Sequence, residues 1–144
     1  MANLYSPGFV PSEPGRHEAR ERAVALGYEA EQRDLDAAGI LDDQILDPDP
    51  YTVALVAGVG EHLEEIDTTI ERFARGWTLE RMAAMDRAVL RVAIFELAHR
   101  EDIPTPVVID EAVELAKRYG TDDSSRFVNG VLDSAANALR STGS

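Results

Sequence analysis

Residues 79–100 read LERMAAMDRAVLRVAIFELAHR, and apolar side chains fall on nearly every face of the helix that this spacing predicts. A helix that is apolar all round is a buried one, so other helices must pack on several of its sides. Arg91 and Glu96 interrupt its most apolar part. Each is expected to pair with a group on another helix, because an isolated buried charge is costly. The rest of the chain has to supply that surround.

On the C-terminal side, Pro104 and Pro106 break the run, and Pro106 suits the first turn of a following helix. That helix, VVIDEAVELAKRYG over 107–120, has Asp110 and Glu111 early, Lys117 and Arg118 late, and Gly120 as its stop. TDDS at 121–124 supplies the N-cap of a last helix running to about Arg140. Within it, Phe127, Val128, Val131 and Ala135 define a buried face, while Asn129 projects almost opposite and Gly130 lies at the edge. Asn-Gly is a turn dipeptide, yet the apolar spacing continues past it. Gly130 therefore reads as a place where another backbone or a ligand approaches closely.

On the N-terminal side, Asp67 is the expected N-cap of a short helix through Arg75, with Gly76 and Trp77 in a loop. Tyr51 to His62 is apolar and helical, with Gly58 and Gly60 allowing close helix contact; the lone Gly-Val-Gly follows no strand and is no nucleotide loop. DLDAAGILDDQILDPDP, residues 34–50, suggests a short weakly capped helix ended by Pro48 and Pro50. From Arg16 to Arg33 a helix buries Ala19, Ala23, Leu26 and Ala30. Arg16, His17, Arg20, Val24, Gly27 and Tyr28 lie on an adjoining arc, and Glu18, Glu21 and Glu29 mostly on the far side. Residues 1–15, with three prolines and two glycines, read as a disordered arm, and 141–144 as a flexible tail. No segment alternates as a strand. The expectation is one all-α domain over 16–140, a bundle of about seven helices.

Composition narrows the function classes. The chain of 144 residues is 44% hydrophobic and has no cysteine, so it can bury a core but has no disulfide framework and no thiolate metal site. Neither a membrane span nor a signal peptide is apparent, and a cytoplasmic protein is expected. The net charge of −13 repels nucleic acid and favours basic partners. Of the basic residues all but Lys117 are arginine, the better side chain for bidentate phosphate contacts. There is no cysteine nucleophile, and the histidines are scattered over three helices. Glu61, His62 and Glu65 read as a solvated acidic face, since a bundle di-metal site needs a Glu-x-x-His pair on each of two helices. Asp110, Glu111 and Glu114 look like a helix start. No enzyme, cofactor or metal is expected.

The stretch from Leu79 to Asp133 closely resembles the NusB family of bacterial transcription antitermination factors. The blocks are an acidic-x-Ala-Val-Leu-Arg run at Asp86 to Arg91, Glu96-Leu97, the break at Pro104, Ile109 to Lys117, and FVNGVLD at Phe127 to Asp133. GRHEARERAVALGYEAE, PYTVALVAGV and RGWTLERM match earlier family segments more loosely, and the resemblance covers roughly residues 15 to 140. It implies an all-α fold of two antiparallel helical halves, and an RNA-binding adaptor instead of an enzyme. Such proteins pair with the ribosomal protein NusE, and the pair binds boxA RNA in ribosomal-RNA leaders. Docked on RNA polymerase with other Nus factors, it suppresses premature termination. A NusB-like domain also precedes some ribosomal-RNA methyltransferases; this chain, ending after that domain, is not expected to be one.

Carried over by residue, the resemblance places RNA contacts on Arg16, His17, Arg20, Arg22 and Tyr28 of the first helix, and on Phe127, Asn129 and Gly130 of the last. It makes Asp86 an acidic surface position near RNA and partner, Asp123 a negative charge that tempers RNA binding, and Glu80, Asp86 and Asp123 the NusE-facing surface. Relatives often have three consecutive basic residues where this chain has Arg16-His17-Glu18. Phosphate contacts dominate nucleic-acid affinity, so that loss weakens RNA binding. Two functions stay open: a NusE-paired boxA-binding factor, and an acidic protein–protein adaptor that keeps the fold but reads little RNA. A homodimer through the NusE-facing surface is a further expectation.

Overall fold

The structure, a computed structural model, describes residues 15–140; the expected arm lies outside them except for Gly15, and so does the tail at 141–144. Seven α-helices form among the described residues: α1 (Arg16–Gln32), α2 (Ala37–Asp42), α3 (Pro50–Glu61), α4 (Leu63–Phe73), α5 (Ala84–His99), α6 (Thr105–Tyr119) and α7 (Ser124–Arg140). The first three pack on one another, the last four form a second group, and α5 joins the two by lying against α1 and α3 as well as α4, α6 and α7. Ten of the sixteen residues of α5 are buried. The surround that residues 79–100 demand is thus built from both halves of the chain.

Local chemistry explains most boundaries. Asp36 caps α2 by accepting from the Gly39 N–H at 2.8 Å, and Pro50 opens α3 with Asp49 accepting from the Tyr51 N–H at 2.7 Å. Gly58 is required by packing, because a Cβ there would lie 2.3 Å from the Phe95 ring of α5. At Gly60 a Cβ would meet that of Ala37 on α2 at 2.6 Å. Both glycines set helices in close contact, as their spacing suggested.

Two local expectations need correction. Asp67 is not an N-cap: α4 begins at Leu63, directly after a corner at His62, and Asp67 sits inside it. Its carboxylate instead takes both guanidinium contacts of Arg91, at 2.9 and 3.0 Å. The central helix begins at Ala84, not Leu79, because Met82 and Ala83 are extended after a 3₁₀ turn over Leu79–Arg81. Arg87 accounts for that break by donating to the Leu79 and Met82 carbonyls at 2.6 and 3.0 Å. Gly120 does stop α6, but with φ −99° it takes no left-handed turn. It is small because a Cβ would fall 2.4 Å from the Ser124 hydroxyl, which accepts from the Thr121 N–H at 2.9 Å.

The charges of α5 are paired between helices, as their burial requires. Glu96 is 1% exposed and receives the Arg20 Nε–H of α1 on both oxygens, at 3.0 and 2.9 Å, together with the Tyr51 hydroxyl of α3. Burial first, and then the Glu96 carboxylate, push the Tyr51 phenol well above the usual tyrosine range, so it stays a donor. Glu31 of α1 bridges Arg87 and Arg91; the Arg87 hydrogen bonds, ahead of the charges of both arginines, hold its carboxyl below the ordinary range. Arg140 at the end of α7 donates to the carbonyls of Glu96, Leu97 and Arg100, at 3.0, 2.9 and 2.8 Å, and to that of Ile103 at 2.6 Å. The Glu96 and Arg100 carbonyls also accept from the Arg100 and Ile103 N–H groups, and a cation is the fitting group where carbonyls converge at the C-terminus of α5.

Candidate functional site

Two surfaces carry the residues singled out in the sequence. The first lies along α1. Ala19, Ala23, Leu26 and Ala30 are buried as the periodicity requires, and Tyr28 is 37% exposed with its ring at the surface. Arg22 is exposed and donates to the Gln44 side chain at 2.7 Å. Arg16 stacks its guanidinium over the Tyr51 ring, 4.0 Å from the centroid, and Arg100 approaches the same ring at 5.0 Å. A cationic cluster therefore forms around Tyr51 from α1, α3 and the end of α5. Neither Tyr51 nor Arg100 stood out in the sequence, since only the packing of distant helices brings them to Arg16.

Arg20 departs from the sequence expectation. Its side chain is 2% exposed and turned inward onto Glu96, so it presents no cation to a surface phosphate. A wheel places Arg20 beside the buried stripe but cannot reveal an acid waiting in α5. His17 is likewise engaged, its Nδ1 lying 2.8 Å from Glu111 of α6. Tyr28 lies three turns along from Arg16, about 18 Å at the usual helical rise, so the continuous arc resolves into two separate ends.

The second surface is a cleft of about 440 Å³ between the 77–86 segment and the start of α7. Arg75 (φ 40°) and Gly76 (φ 87°) turn the chain sharply and present Trp77, which is 50% exposed. Trp77 meets Phe127 edge to face, with centroids 6.3 Å apart. Asp86, Asp123, Arg81 and Arg126 complete the walls. Phe127, Asp86 and Asp123 are thus brought together, with Glu80 exposed on the neighbouring 3₁₀ turn. In sequence Trp77 reads only as part of a loop; that it is the one tryptophan of the chain and follows a glycine is the signal that marks it, since such rings anchor interfaces.

Asp86 also departs from expectation, being 7% exposed instead of a surface acid, because it sits on the first turn of the buried α5. Its Oδ1 is buried with no hydrogen-bond partner among the described residues, although the residue lines the cleft. Asn129 and Gly130 are exposed on α7. Nothing lies within 4 Å of the Cβ that Gly130 lacks, so no part of the described chain makes the close approach its presence suggested. One grouping of metal-capable side chains, His62, Glu65 and His99, forms among the described residues and contains none of the residues expected to touch RNA.

Comparison with known proteins agrees with the seven-helix arrangement. Residues 17–137 match the model of the NusB family. Among solved structures, Thermotoga maritima NusB shares 41% identity, over 85% of this chain and 90% of that one, with a TM-score of 0.77. NusB from Aquifex aeolicus shares 29%, over 91% and 93%, with a TM-score of 0.71. A chain from the crystal structure of the antitermination factors NusB and NusE in complex with dsRNA shares 26%, over 88% and 98%, with a TM-score of 0.76. With a family match across most of its length and this shared architecture, the chain belongs to the NusB family.

Proposed function

We propose that this protein is a transcription antitermination factor that pairs with NusE and binds boxA-type RNA in ribosomal-RNA leaders. In the cytoplasm the pair acts on RNA polymerase with other Nus factors and suppresses premature termination. The observation that carries this reading is the likeness, along nearly the whole fold, to a chain crystallised with NusE and dsRNA. The cleft is the NusE-facing surface: Trp77 and Phe127 supply apolar area, and Asp86, Asp123 and the adjacent Glu80 supply negative charge for a basic partner. The unpaired Asp86 Oδ1 is an acceptor waiting for a partner's donor. RNA contacts fall on Arg16, His17, Arg22 and Tyr28, with Asn129, Gly130 and Phe127 on α7, while Arg20 serves them only by fixing α1 on α5.

The test is co-purification with NusE followed by fluorescence anisotropy on leader RNA. Arg16→Ala with Arg22→Ala lowers RNA affinity and flattens its salt dependence, while NusE binding is unchanged. Tyr28→Ala removes a stacking platform worth ~1–3 kcal/mol. Asp86→Asn weakens NusE binding.

The charge of −13 favours a second reading, an acidic adaptor with little RNA binding of its own. Internal engagement of α1 supports it, since His17, Arg20 and Arg22 meet Glu111, Glu96 and Gln44. If the Arg16/Arg22 variant leaves RNA affinity unaltered, the adaptor reading stands and the first falls. A homodimer through the cleft, in the absence of NusE, belongs to either reading. A monomer mass at every concentration in the ultracentrifuge contradicts that dimer.

A further inference from the structure

The corner between α3 and α4 brings together side chains that their sequence positions keep apart. His62 and Glu65 lie three residues apart, with the His62 Nδ1 3.4 Å from a Glu65 oxygen. His99, from the last turn of α5, places its Nε2 3.3 Å from the other Glu65 oxygen. The two imidazoles stack with centroids 4.0 Å apart, and the Phe95 ring backs His99 at 5.4 Å. One ligand atom from each of His62, Glu65 and His99 lies within 4.8 Å of the others. In sequence, Glu61, His62 and Glu65 read as a solvated acidic face; the second imidazole is 37 positions beyond His62, and only the fold supplies it.

We propose that His62, Glu65 and His99 form a binding site for a divalent transition-metal ion of the Zn²⁺ class. Two imidazoles and one carboxylate are the donor set that such ions take, with solvent in the fourth position of a tetrahedron. Ligands at the usual zinc distances of about 2.0–2.1 Å stand about 3.3 Å from one another around a tetrahedral ion. Each imidazole nitrogen already stands at about that distance from Glu65, though from a different carboxylate oxygen, and one donor atom from each of the three residues lies within 4.8 Å of the others. The two rings lie 22° from parallel, and rotation of these partly exposed side chains brings both nitrogens onto one ion. Such an ion joins the α3–α4 corner to the end of α5, the helix that links both halves of the bundle.

Isothermal titration of the untagged full chain with ZnCl₂ is the test. The expected result is one site per chain, with affinity falling by ~10–100-fold or more in His99→Gln and in Glu65→Gln, since even outer-shell changes cost that much. Co²⁺ in the unsubstituted protein gives the visible absorption of a tetrahedral site, and Zn²⁺ shifts the ring resonances of His62 and His99 but not those of His17. These readouts need no variant to fold. Equal binding by all three proteins, several weak sites per chain, or perturbation of His17 alone means that the acidic surface collects ions non-specifically and overturns the proposal. So does the absence of binding, which leaves the cluster as imidazole–carboxylate pairs only.

Discussion

Arg20→Ala distinguishes an arginine that binds RNA from one that holds the fold. The substitution leaves Glu96, 1% exposed, with the Tyr51 hydroxyl as its remaining side-chain donor. Removing one partner of a buried pair costs about 3–5 kcal/mol, because the charge left behind is uncompensated. At an unfolding entropy of about 2.1 cal/mol/K per residue, each kcal/mol lowers the Tm of this chain by about 3 °C, so a fall of about 10–15 °C is expected. Replacing both partners, Arg20→Met with Glu96→Leu, behaves differently. The surrounding walls are apolar (Val24, Val89, Val92, Ala93, Val108 and Leu115) apart from Glu111, 4.0 Å from Arg20 Nη1, and two guanidinium nitrogens of Arg20 have no hydrogen-bond partner even in the intact pair. The double variant forfeits the Tyr51 hydrogen bond, about 1 kcal/mol, and recovers most of the desolvation cost. A double-mutant cycle over Arg20→Met and Glu96→Leu, read by urea denaturation followed by circular dichroism, therefore returns a coupling of about 5 kcal/mol or more, because each single change costs about 3–5 kcal/mol and the two together about 1 kcal/mol. A loss below about 1 kcal/mol for Arg20→Ala, the value of an exposed ion pair, means that Arg20 does not hold α1 on α5. So does a loss of RNA affinity with stability unchanged, which puts Arg20 back on the surface.

Three other expectations follow from single contacts. Gly130→Ala finds open space and a helical backbone, so stability rises by about 1 kcal/mol; if RNA and NusE affinities stay unchanged as well, the close-approach role of Gly130 is wrong. Arg140→Ala strips several carbonyls at the end of α5 of one shared donor and lowers stability by about 2–3 kcal/mol in a urea titration, whereas a purely superficial arginine changes little. Glu31 has a folded pKa below its ordinary value of 4.5, so its stabilisation is complete above that value and disappears as pH falls through the lower folded pKa. Glu31→Gln therefore flattens the stability profile in that acidic window, and identical slopes for both proteins contradict the bridge to Arg87 and Arg91.

The sequence was most legible where periodicity and turn chemistry agree. The all-round apolar character of 79–100 placed α5 at the centre, and the demand that Arg91 and Glu96 find partners on other helices is met by Asp67 and Arg20. What could not be read is which partner each charge finds. Arg20 and Arg16 sit one turn apart on the same arc, yet one enters the core and the other stacks on Tyr51. Asp86 shows the same blind spot: the resemblance makes it a surface acid, and only the placement of neighbouring elements shows that it is covered. Trp77 and Phe127 needed the turn at Arg75-Gly76 to meet, and His99 needed the α3–α4 corner to reach His62. In each case the missing information is tertiary, carried by how two helices are placed and not by either helix alone.

In the function proposed above, this chain gives NusE an RNA-binding surface despite its own negative charge. An anisotropy titration of boxA-bearing leader RNA with this protein alone, with NusE alone, and with the pair, against a scrambled RNA of equal length, tests this. The pair is expected to bind the boxA RNA more tightly than either protein alone and more tightly than it binds the scrambled RNA, with affinity falling as salt rises because phosphate contacts release counterions. Equal affinity of the pair for both RNAs, with no gain over NusE alone, contradicts it.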